Sequence, residues 1–388
     1  MDFFKIIVRN VLRHPLRSGL TAFGIAVALF AFCMIRTLIG AWYAGVEASA
    51  KNRLIVRNSV SLTFYLPLAY QHTIEQVPGV EKVGFGNWFG GIYQDERYRF
   101  QQFATDNSYI DIYSEFSFDP AEKQTWLTDR KGVLVGRDLA KNFNFKPGDV
   151  IQLKGTIFPG TWEFTISGIF DARDKEKDTR LMFFHWDYLN EVNKATVARQ
   201  PDNVGFYVVQ LTPGANPAEV SKAIDARFAN SFAETLTETE TAFVQGFVSM
   251  SSTIINVLNV VSCVVLVIML LVLANTMLMS FRERLREYSI LKALGFETPA
   301  LSKLILGEAA LLVCCGLVVL AIFLIPFFVL PTSVMLGALV NFFPVFRISG
   351  TTIGLVLGVG ALTALVASIS PLISLRRLRV SESLRSIG

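Results

Sequence analysis

Four long apolar stretches constrain the fold of this chain more than any other feature of its sequence. They run over 18–41, 250–280, 299–330 and 351–373. Each holds at least the roughly twenty helical residues that cross the hydrocarbon core of a bilayer. The hydrophobic content of 52% and the mean hydropathy of +0.44 are too high for an ordinary water-soluble protein. The sequence therefore predicts an α-helical membrane protein with four transmembrane helices.

Basic residues beside these stretches predict how the chain crosses the membrane. They cluster before the first span, between the second and third spans, and after the fourth span. By the positive-inside rule, all three places face the cytoplasm. The prediction is a multi-pass protein of the cytoplasmic (inner) membrane with both termini inside. It has a short outer loop at 331–350 and a cytoplasmic tail at 374–388.

The N-terminal segment 1–17 combines basic charge with an amphipathic pattern. Basic residues recur there at every fourth position, with apolar residues between them: Lys5, Arg9, Arg13 and Arg17. This pattern predicts a cytoplasmic helix that lies in the membrane interface. A cleaved signal peptide is the alternative interpretation of the first span, because small residues follow at 48–50. The apolar run is longer than a usual signal core, which argues against cleavage.

The segment 42–249 is polar and mixed in composition, and no apolar run within it is long enough to cross a membrane. Start signals predict helices over 67–76 and after Asn216. Alternation of apolar and polar residues predicts strands over 54–56, 80–85, 132–135, 150–153, 162–170 and 206–211. The sequence therefore predicts a large α+β domain outside the membrane.

A short charged segment at 281–298 separates the second span from the third. Interpreted as a helix, it carries one apolar face made of Phe281, Leu285, Tyr288, Leu291 and Leu294. Charged residues occupy the opposite face. Gly295 ends the helix, because glycine readily adopts the left-handed conformation found after helix C-termini. A solvated linker with no further role is the alternative interpretation.

The sequence RERLREYSILKALGF within this segment resembles the segment that follows the second span in the MacB/FtsX-like permease family. Members of that family are membrane subunits of type VII ATP-binding-cassette (ABC) transporters. In the family, this segment is the coupling helix that docks on a separate ATPase. The resemblance implies an ATPase interface composed of Arg282, Glu283, Arg286, Glu287, Lys292 and Gly295.

The resemblance covers nearly the whole chain. LPLAYQHTIEQVPGVEKVGF, GVLVGRDLAKNFNFKPGDVIQL and WEFTISGIFD are similar to the MacB-type periplasmic domain and follow the same order. They imply a porter-like part over about 50–95 and 203–232, interrupted by a mostly β insertion over about 96–202. VSESLR at 380–385 resembles the C-terminal sequence of the family, although Val and Ser replace two of its usual residues.

Glu308 is the most prominent charge inside a predicted span. A carboxylate within the membrane is costly and needs a partner. Lys303 and the basic residues of 281–298 are the candidate partners, and a structural ion pair is a better explanation than proton coupling.

Small residues form two rows in the fourth span, and both rows predict close helix packing, either within one chain or across a dimer. The first row comprises Gly350, Gly354 and Gly358, and the second comprises Gly360, Ala364 and Ser368.

Sequence motifs for catalysis are missing from this chain. It contains no GxxxxGK[ST] phosphate-binding loop, so ATP and Mg²⁺ are expected on a partner ATPase and no cofactor is expected here. The three histidines fall in no metal-ligand spacing. The four cysteines all lie in apolar runs. A net charge of +4 is too small to predict nucleic-acid binding.

The resemblance implies the permease subunit of an ABC transporter, in which ATP hydrolysis by a partner moves the outer domain. The implied cargo of this mechanotransmission is an amphiphile: a lipoprotein, lipid, peptide or drug. The implied partners are an ABC ATPase, a second permease in a homodimer or heterodimer and, for efflux, a periplasmic adaptor (membrane fusion protein) with an outer-membrane channel. The alternative is an FtsX-like regulator that activates an extracytoplasmic cell-wall hydrolase. The large outer domain argues against it.

Overall fold

The computed structural model describes residues 3–47, 49–96, 98, 100–173, 179–195, 201–329, 346 and 348–377. These residues form two compact units. We call the described residues up to Gly40 and from Ser252 onward the helical unit, and those between Ala41 and Ser251 the sheet unit. Most of the predicted outer loop at 331–350 lies outside the described residues, as do the tail beyond 377 and its VSESLR sequence.

The described helices are α1 (Phe3–Leu12), α2 (Pro15–Glu47), α3 (Tyr70–Glu75), α4 (Asn107–Ile112), α5 (Pro120–Thr128), α6 (Arg137–Phe143), α7 (Trp186–Lys194), α8 (Pro217–Phe228), α9 (Glu240–Met250), α10 (Ser252–Glu283), α11 (Leu285–Ala293), α12 (Thr298–Val329) and α13 (Gly350–Arg377).

The described strands are β1 (Arg53–Asn58), β2 (Leu66–Pro67), β3 (Val80–Trp88), β4 (Gly91–Tyr93), β5 (Gln101–Thr105), β6 (Phe116–Ser117), β7 (Gly132–Gly136), β8 (Val150–Gly155), β9 (Gly160–Ala172), β10 (Leu181–His185), β11 (Asn203–Val204), β12 (Phe206–Leu211) and β13 (Thr235–Thr239).

Within the described ranges, four helices are long and apolar enough to cross a membrane: Pro15–Tyr43 of α2, then α10, α12 and α13. They contain 28 to 32 residues. At about 1.5 Å per residue, each exceeds the ~30 Å hydrocarbon core. The predicted fold class, four membrane helices with a large α+β domain, is confirmed.

The helical unit has its own apolar core, to which all four long helices contribute. α13 contacts both α10 and α12, and α1 contacts α12. Gly307 allows this last contact, because a Cβ at this position would clash with the side chain of Ile7. Core residues from the long helices include Ile25, Leu29, Leu273, Met277, Ile305, Leu312, Val356 and Ala364.

The boundary between the first two helices differs from the sequence prediction. The amphipathic segment 1–17 was predicted as one helix, but α1 ends at Leu12 and α2 begins at Pro15. Proline at the first position of a helix favours this break, since it has no N–H to lose there. Pro326 lies inside α12, which continues to Val329.

The sheet unit is built on one large sheet. Its described strands form an 11-stranded sheet in the order β13-β1-β12-β3-β5-β10-β7-β9-β8-β4, with β6 paired to β9 beside this path. Neighbouring strands are antiparallel except for β10 with β5 and β7 with β9. The sheet is therefore mixed, and each of the six predicted strand segments lies inside an observed strand.

Segments from the two ends of the sheet unit meet at one end of this sheet. β1 pairs with β12, placing Ile55 opposite Val208, and on its other side it pairs with β13, placing Leu54 opposite Thr239. β3 and β5 are direct neighbours. The parts that the resemblance divided into a porter and an insertion therefore share a continuous sheet.

Successive residues of the strands enter two different cores, as expected for side chains that alternate across a sheet. Leu54 and Val56 of β1 pack in the larger core, whereas Ile55 packs in the smaller one. Helices α3, α6, α7 and α8 contribute to the larger core. Helices α4 and α5 contribute to the smaller core, and α9 packs against it through Phe243. The two faces of the sheet are therefore covered by different sets of helices.

Candidate coupling site

A buried ion pair joins the charged segment to the third span. Arg284 Nη1 donates to Glu308 Oε1, and only 6% and 5% of the two side chains are exposed. Asn10 Nδ2 donates to the same carboxylate oxygen at 2.7 Å. Arg284 Nη2 donates to the backbone oxygen of Asn10 at 2.7 Å. Buried charges are tolerated only when paired and hydrogen-bonded, so this cluster fixes α1, α12 and the start of α11 to one another.

Arg284 also interrupts the helix. Its φ of −105° and ψ of 13° are not helical, so α10 ends at Glu283 and α11 begins at Leu285. The backbone tightens there, with Arg284 N donating to Phe281 O at 3.2 Å. The prediction of one helix from 281 to 294 was therefore wrong. The break turns the Arg284 side chain toward Glu308, so the partner of Glu308 is one of the basic residues of 281–298 that the sequence analysis named as candidates.

This break changes which face of the segment is buried. Leu285 and Leu294, predicted on the apolar face, are 37% and 71% exposed. Arg284 and Ser289 are buried in their place. Phe281 and Tyr288 are buried as predicted, and their rings stack 5.5 Å apart. The buried ion pair therefore sets the orientation of α11, rather than apolar periodicity alone.

Tyr288 lies beside this ion pair. It is 4% exposed. Burial, with a smaller contribution from the Glu308 carboxylate, raises the pKa of Tyr288 above the usual range of tyrosine. The phenol therefore stays neutral at physiological pH.

Gly295 ends α11 in the manner predicted for it. Its φ is +90°. Gly295 N donates to Lys292 O at 3.2 Å, and Phe296 N donates to Leu291 O at 3.1 Å. These two bonds form a Schellman motif, which satisfies the last carbonyls of a helix. Leu291 and Phe296 both pack against the core of the helical unit, so the turn is anchored on its apolar side.

Two of the carboxylates assigned to the ATPase interface form ion pairs within the chain. Arg17 donates to both oxygens of Glu283 at 2.8 Å, and Arg13 donates to Glu287 at 2.6 Å. His14 Nε2 lies 3.7 Å from Glu283. The hydrogen bond to Glu287 raises the pKa of Arg13. These pairs join the N-terminal segment to the charged segment.

Sequence reasoning missed these pairs, although a signal was present. Arg13 and Arg17 are four residues apart, as are Glu283 and Glu287. This equal spacing of opposite charges favours two matching pairs, although Arg13 precedes α2 and the break at Arg284 separates Glu283 from Glu287.

The other residues of the predicted interface lie on the surface of this segment. Arg282 and Arg286 are exposed, and Lys292 is half-buried. They lie among exposed apolar side chains of α11 and its C-terminus: Leu285, Ile290 and Leu294. Lys303, one candidate partner of Glu308, is exposed on α12.

The two rows of small residues in α13 have different surroundings. A Cβ added at Gly350, Gly354 or Gly358 would meet no atom within 4 Å. A Cβ at Gly360 would meet Val313 at 3.1 Å. Ala364 and Ser368 are buried. Within the described chain, only the second row packs against another helix.

The charged side chains described at this site form ion pairs within the chain. Among the residues that the structure describes, no group of three His, Cys, Asp or Glu side chains could hold a metal ion. Arginines and paired carboxylates dominate the site instead.

Two family profiles match this chain. The profile described as a MacB-like periplasmic core domain matches residues 18–227. The profile described as an FtsX-like permease C-terminal region matches residues 259–380. Together they cover the third and fourth spans, most of the first and second spans, most of the sheet unit and the whole of the charged segment.

Similar proteins include an uncharacterized ABC transporter permease of Methanocaldococcus jannaschii, which is 26% identical over 336 residues, 80% of this chain and 79% of the relative. Among solved structures, the periplasmic region of MacB from Actinobacillus actinomycetemcomitans aligns at a TM-score of 0.37 and 9% identity, covering 52% of this chain and 95% of its own. The extracellular domain of the transporter YknZ from Gram-positive bacteria aligns at a TM-score of 0.35 and 9% identity, covering 48% of this chain and 100% of its own.

Proposed function

The chain belongs to the ABC transporter permeases of the MacB/FtsX type, and from this premise we propose that it transmits ATP-driven movement of a partner ATPase to its extracytoplasmic domain. It is a multi-pass membrane protein with a periplasmic-type domain between its first and second spans. A permease of this type implies a separate ATPase.

The surface of α11 is the observation that carries this proposal. Two exposed arginines, Arg286 in α11 and Arg282 at the end of α10, lie there beside the exposed apolar side chains of Leu285 and Leu294. Arginine surrounded by apolar residues is typical of protein interfaces. We assign this surface to the ATPase, together with Glu283, Glu287, Lys292 and the Gly295 turn.

The buried cluster supports a route for the movement. A force on α11 acts directly on Arg284, whose guanidinium holds Glu308 of α12 and the backbone of Asn10. The Arg17 pair connects the same segment to α2, and the Arg13 pair connects it to the link between α1 and α2. α2 continues to Glu47, and α10 follows α9 after a single residue, Ser251. Movement of α11 therefore reaches both covalent connections to the sheet unit.

The proposed cargo is an amphiphile that is already outside the membrane or in its outer leaflet: a lipoprotein, lipid, peptide or drug. No aqueous path through the helices is required for such a cargo. The working unit in this proposal is a dimer of permeases in the cytoplasmic membrane, with both termini inside and two ATPase subunits.

Copurification tests the proposed interface. The tagged protein is purified gently from its native membrane, and its bound proteins are identified by mass spectrometry. We expect the wild type to copurify with an ABC ATPase and the Arg286→Glu variant to lose it. Lys222→Glu is the matched control, because it makes the same charge change at an exposed position of α8. Retention of the ATPase by Arg286→Glu would contradict the assignment of this surface.

A further inference from the structure

The sheet unit contains a large cavity on the face of the sheet that holds the smaller core. Its volume is about 750 Å³. Small-molecule sites are typically concave, about 300–1,000 Å³ in volume and mostly apolar. The strands supply the floor through Ile55, Phe183 and Phe206, and α9 supplies a wall through Phe243 and Phe247.

Exposed apolar side chains converge on the rim of this cavity. Trp88 is 45% exposed, Ile157 48%, Leu62 39% and Phe247 39%. They come from four separate parts of the chain and all line the same space. Single exposed apolar residues need no explanation, but a contiguous group marks a binding surface.

The charges around the cavity restrict what it can hold. Among its described lining residues, the only acidic side chain is that of Glu240, and none is Lys or Arg. Glu240 accepts hydrogen bonds from Arg53 Nε at 2.7 Å and from Ala50 N at 3.1 Å, so its charge is compensated. An anion in the cavity would therefore find no cation among the lining residues that the structure describes.

The polar groups and rings of the wall suit a neutral or positively charged ligand. Burial raises the pKa of Tyr109 and of Tyr113, so both phenols remain uncharged. The ring of Phe103 lies 5.3 Å from that of Trp88 and 6.3 Å from that of Phe183. Aromatic faces attract cations as well as apolar groups.

We propose that this cavity binds the apolar part of a neutral or cationic amphiphile and discriminates against anionic ones. The proposal deepens the proposed function by naming a class of cargo, and only the transport of that ligand rests on the proposed function. Binding itself requires no ATPase.

Photolabelling of the full-length protein in lipid nanodiscs tests the proposal without the ATPase. Two probes carry the same alkyl diazirine chain, one ending in a neutral glucoside and the other in a sulfate. Labelled positions are mapped by mass spectrometry. We expect the neutral probe to label the lining around Trp88, Phe103 and Phe247 several-fold more than Phe232, which is fully exposed outside the cavity. The sulfate probe should label the lining weakly.

A charge introduced on the wall gives a second readout. Gln101 is an exposed lining residue, so Gln101→Lys adds a cation there without disturbing the core. We expect this variant to increase labelling by the sulfate probe several-fold. Gln124→Lys makes the same change at an exposed position of α5, outside the cavity. It should leave labelling by both probes unchanged.

Three results would overturn the proposal. One is equal labelling of Phe232 and the lining residues. Another is equal labelling of the lining by the two probes in the wild type. The third is crosslinking of a benzoylphenylalanine at position 247 to a second copy of this chain, which would make the cavity an interface between copies. Failure of the α11 interface would change none of these readouts, so the two proposals fail independently.

Discussion

Arg284, at the break between two helices, and Glu308, inside a membrane span, form an almost fully buried ion pair. Removing one partner of a buried pair leaves an uncompensated charge and typically costs about 3–5 kcal/mol, whereas replacing both is often close to neutral. Thermal unfolding in detergent should therefore show Arg284→Met and Glu308→Gln each strongly destabilised. The double variant should be more stable than either single one.

Arg282→Met is the control for this cycle, because Arg282 is exposed two residues away. It should unfold close to the wild type. If the double variant lost as much stability as the two single variants together, the result would contradict the pairing of Arg284 with Glu308.

Variants of the Arg13–Glu287 pair can separate two roles of Glu287, contact with the ATPase and pairing with Arg13. We expect Glu287→Arg to lose the ATPase in copurification and to insert normally into the membrane. The swap Arg13→Glu/Glu287→Arg restores an ion pair between the two positions but keeps the reversed charge on α11, so the ATPase should still be lost. Full recovery of the ATPase in the swap would show that Glu287 acts only by holding Arg13.

Gly295 has a φ of +90°, a conformation that costs a residue with a Cβ about 1–2 kcal/mol. Gly295→Ala should therefore destabilise the turn after α11 by about this amount and weaken ATPase binding. The matched control is Gly246→Ala in α9, where a Cβ would meet no atom within 4 Å. Alanine there should stabilise the helix by about 0.5–1 kcal/mol, because it loses less backbone entropy than glycine. A loss of stability at both positions would contradict the backbone explanation.

Stability of the sheet unit should fall as the pH drops below about 6.5, the ordinary pKa of histidine. Burial lowers the pKa of His185, which stacks on Trp126 and hydrogen-bonds to its carbonyl at 2.7 Å. The unfolded chain therefore takes up a proton at a higher pH than the folded chain does. Unfolding becomes easier as the pH falls through the unfolded pKa toward the folded pKa.

Tryptophan fluorescence of the full-length protein can follow this transition, because all five tryptophans lie in the sheet unit. Denaturant titrations at several pH values between about 5 and 7.5 cover the range where histidine titrates. His185→Gln should flatten the dependence in this window. An unchanged dependence in the variant would show that other groups cause it.

Gly354 and Gly360 should respond differently to a larger side chain. Gly354 has open space around it, whereas Gly360 faces Val313. We expect Gly354→Ile to leave the fold intact but to reduce chemical crosslinking between two permease copies, since the open row is available for close packing. Gly360→Ile should lower the unfolding temperature instead. Unchanged crosslinking by Gly354→Ile would remove this row from the dimer proposal.

Several features of this protein depended only on local sequence, and the sequence predicted them. The four spans follow from the length and hydropathy of continuous stretches, since a bilayer requires every backbone group to be bonded within its helix. The end of α11 follows from one glycine, because few other residues adopt a positive φ. The six strand segments followed from alternation.

Contacts between distant residues could not be predicted in the same way. Arg13 and Glu287 are separated by 274 positions, and only the folding of the helical unit brings them together. The prediction of which face of α11 is buried was wrong, because the helix breaks at Arg284. The contact with Glu308 decides where the Arg284 side chain must point. The cavity beside α9 combines residues from 55 to 247. Propensity and periodicity act over a few residues and thus determined spans, strands and caps. Charge pairing and enclosed space require groups that meet only after folding. The sequence predicted that Glu308 has a basic partner, but only the tertiary structure decided that this partner is Arg284 and that the cavity exists.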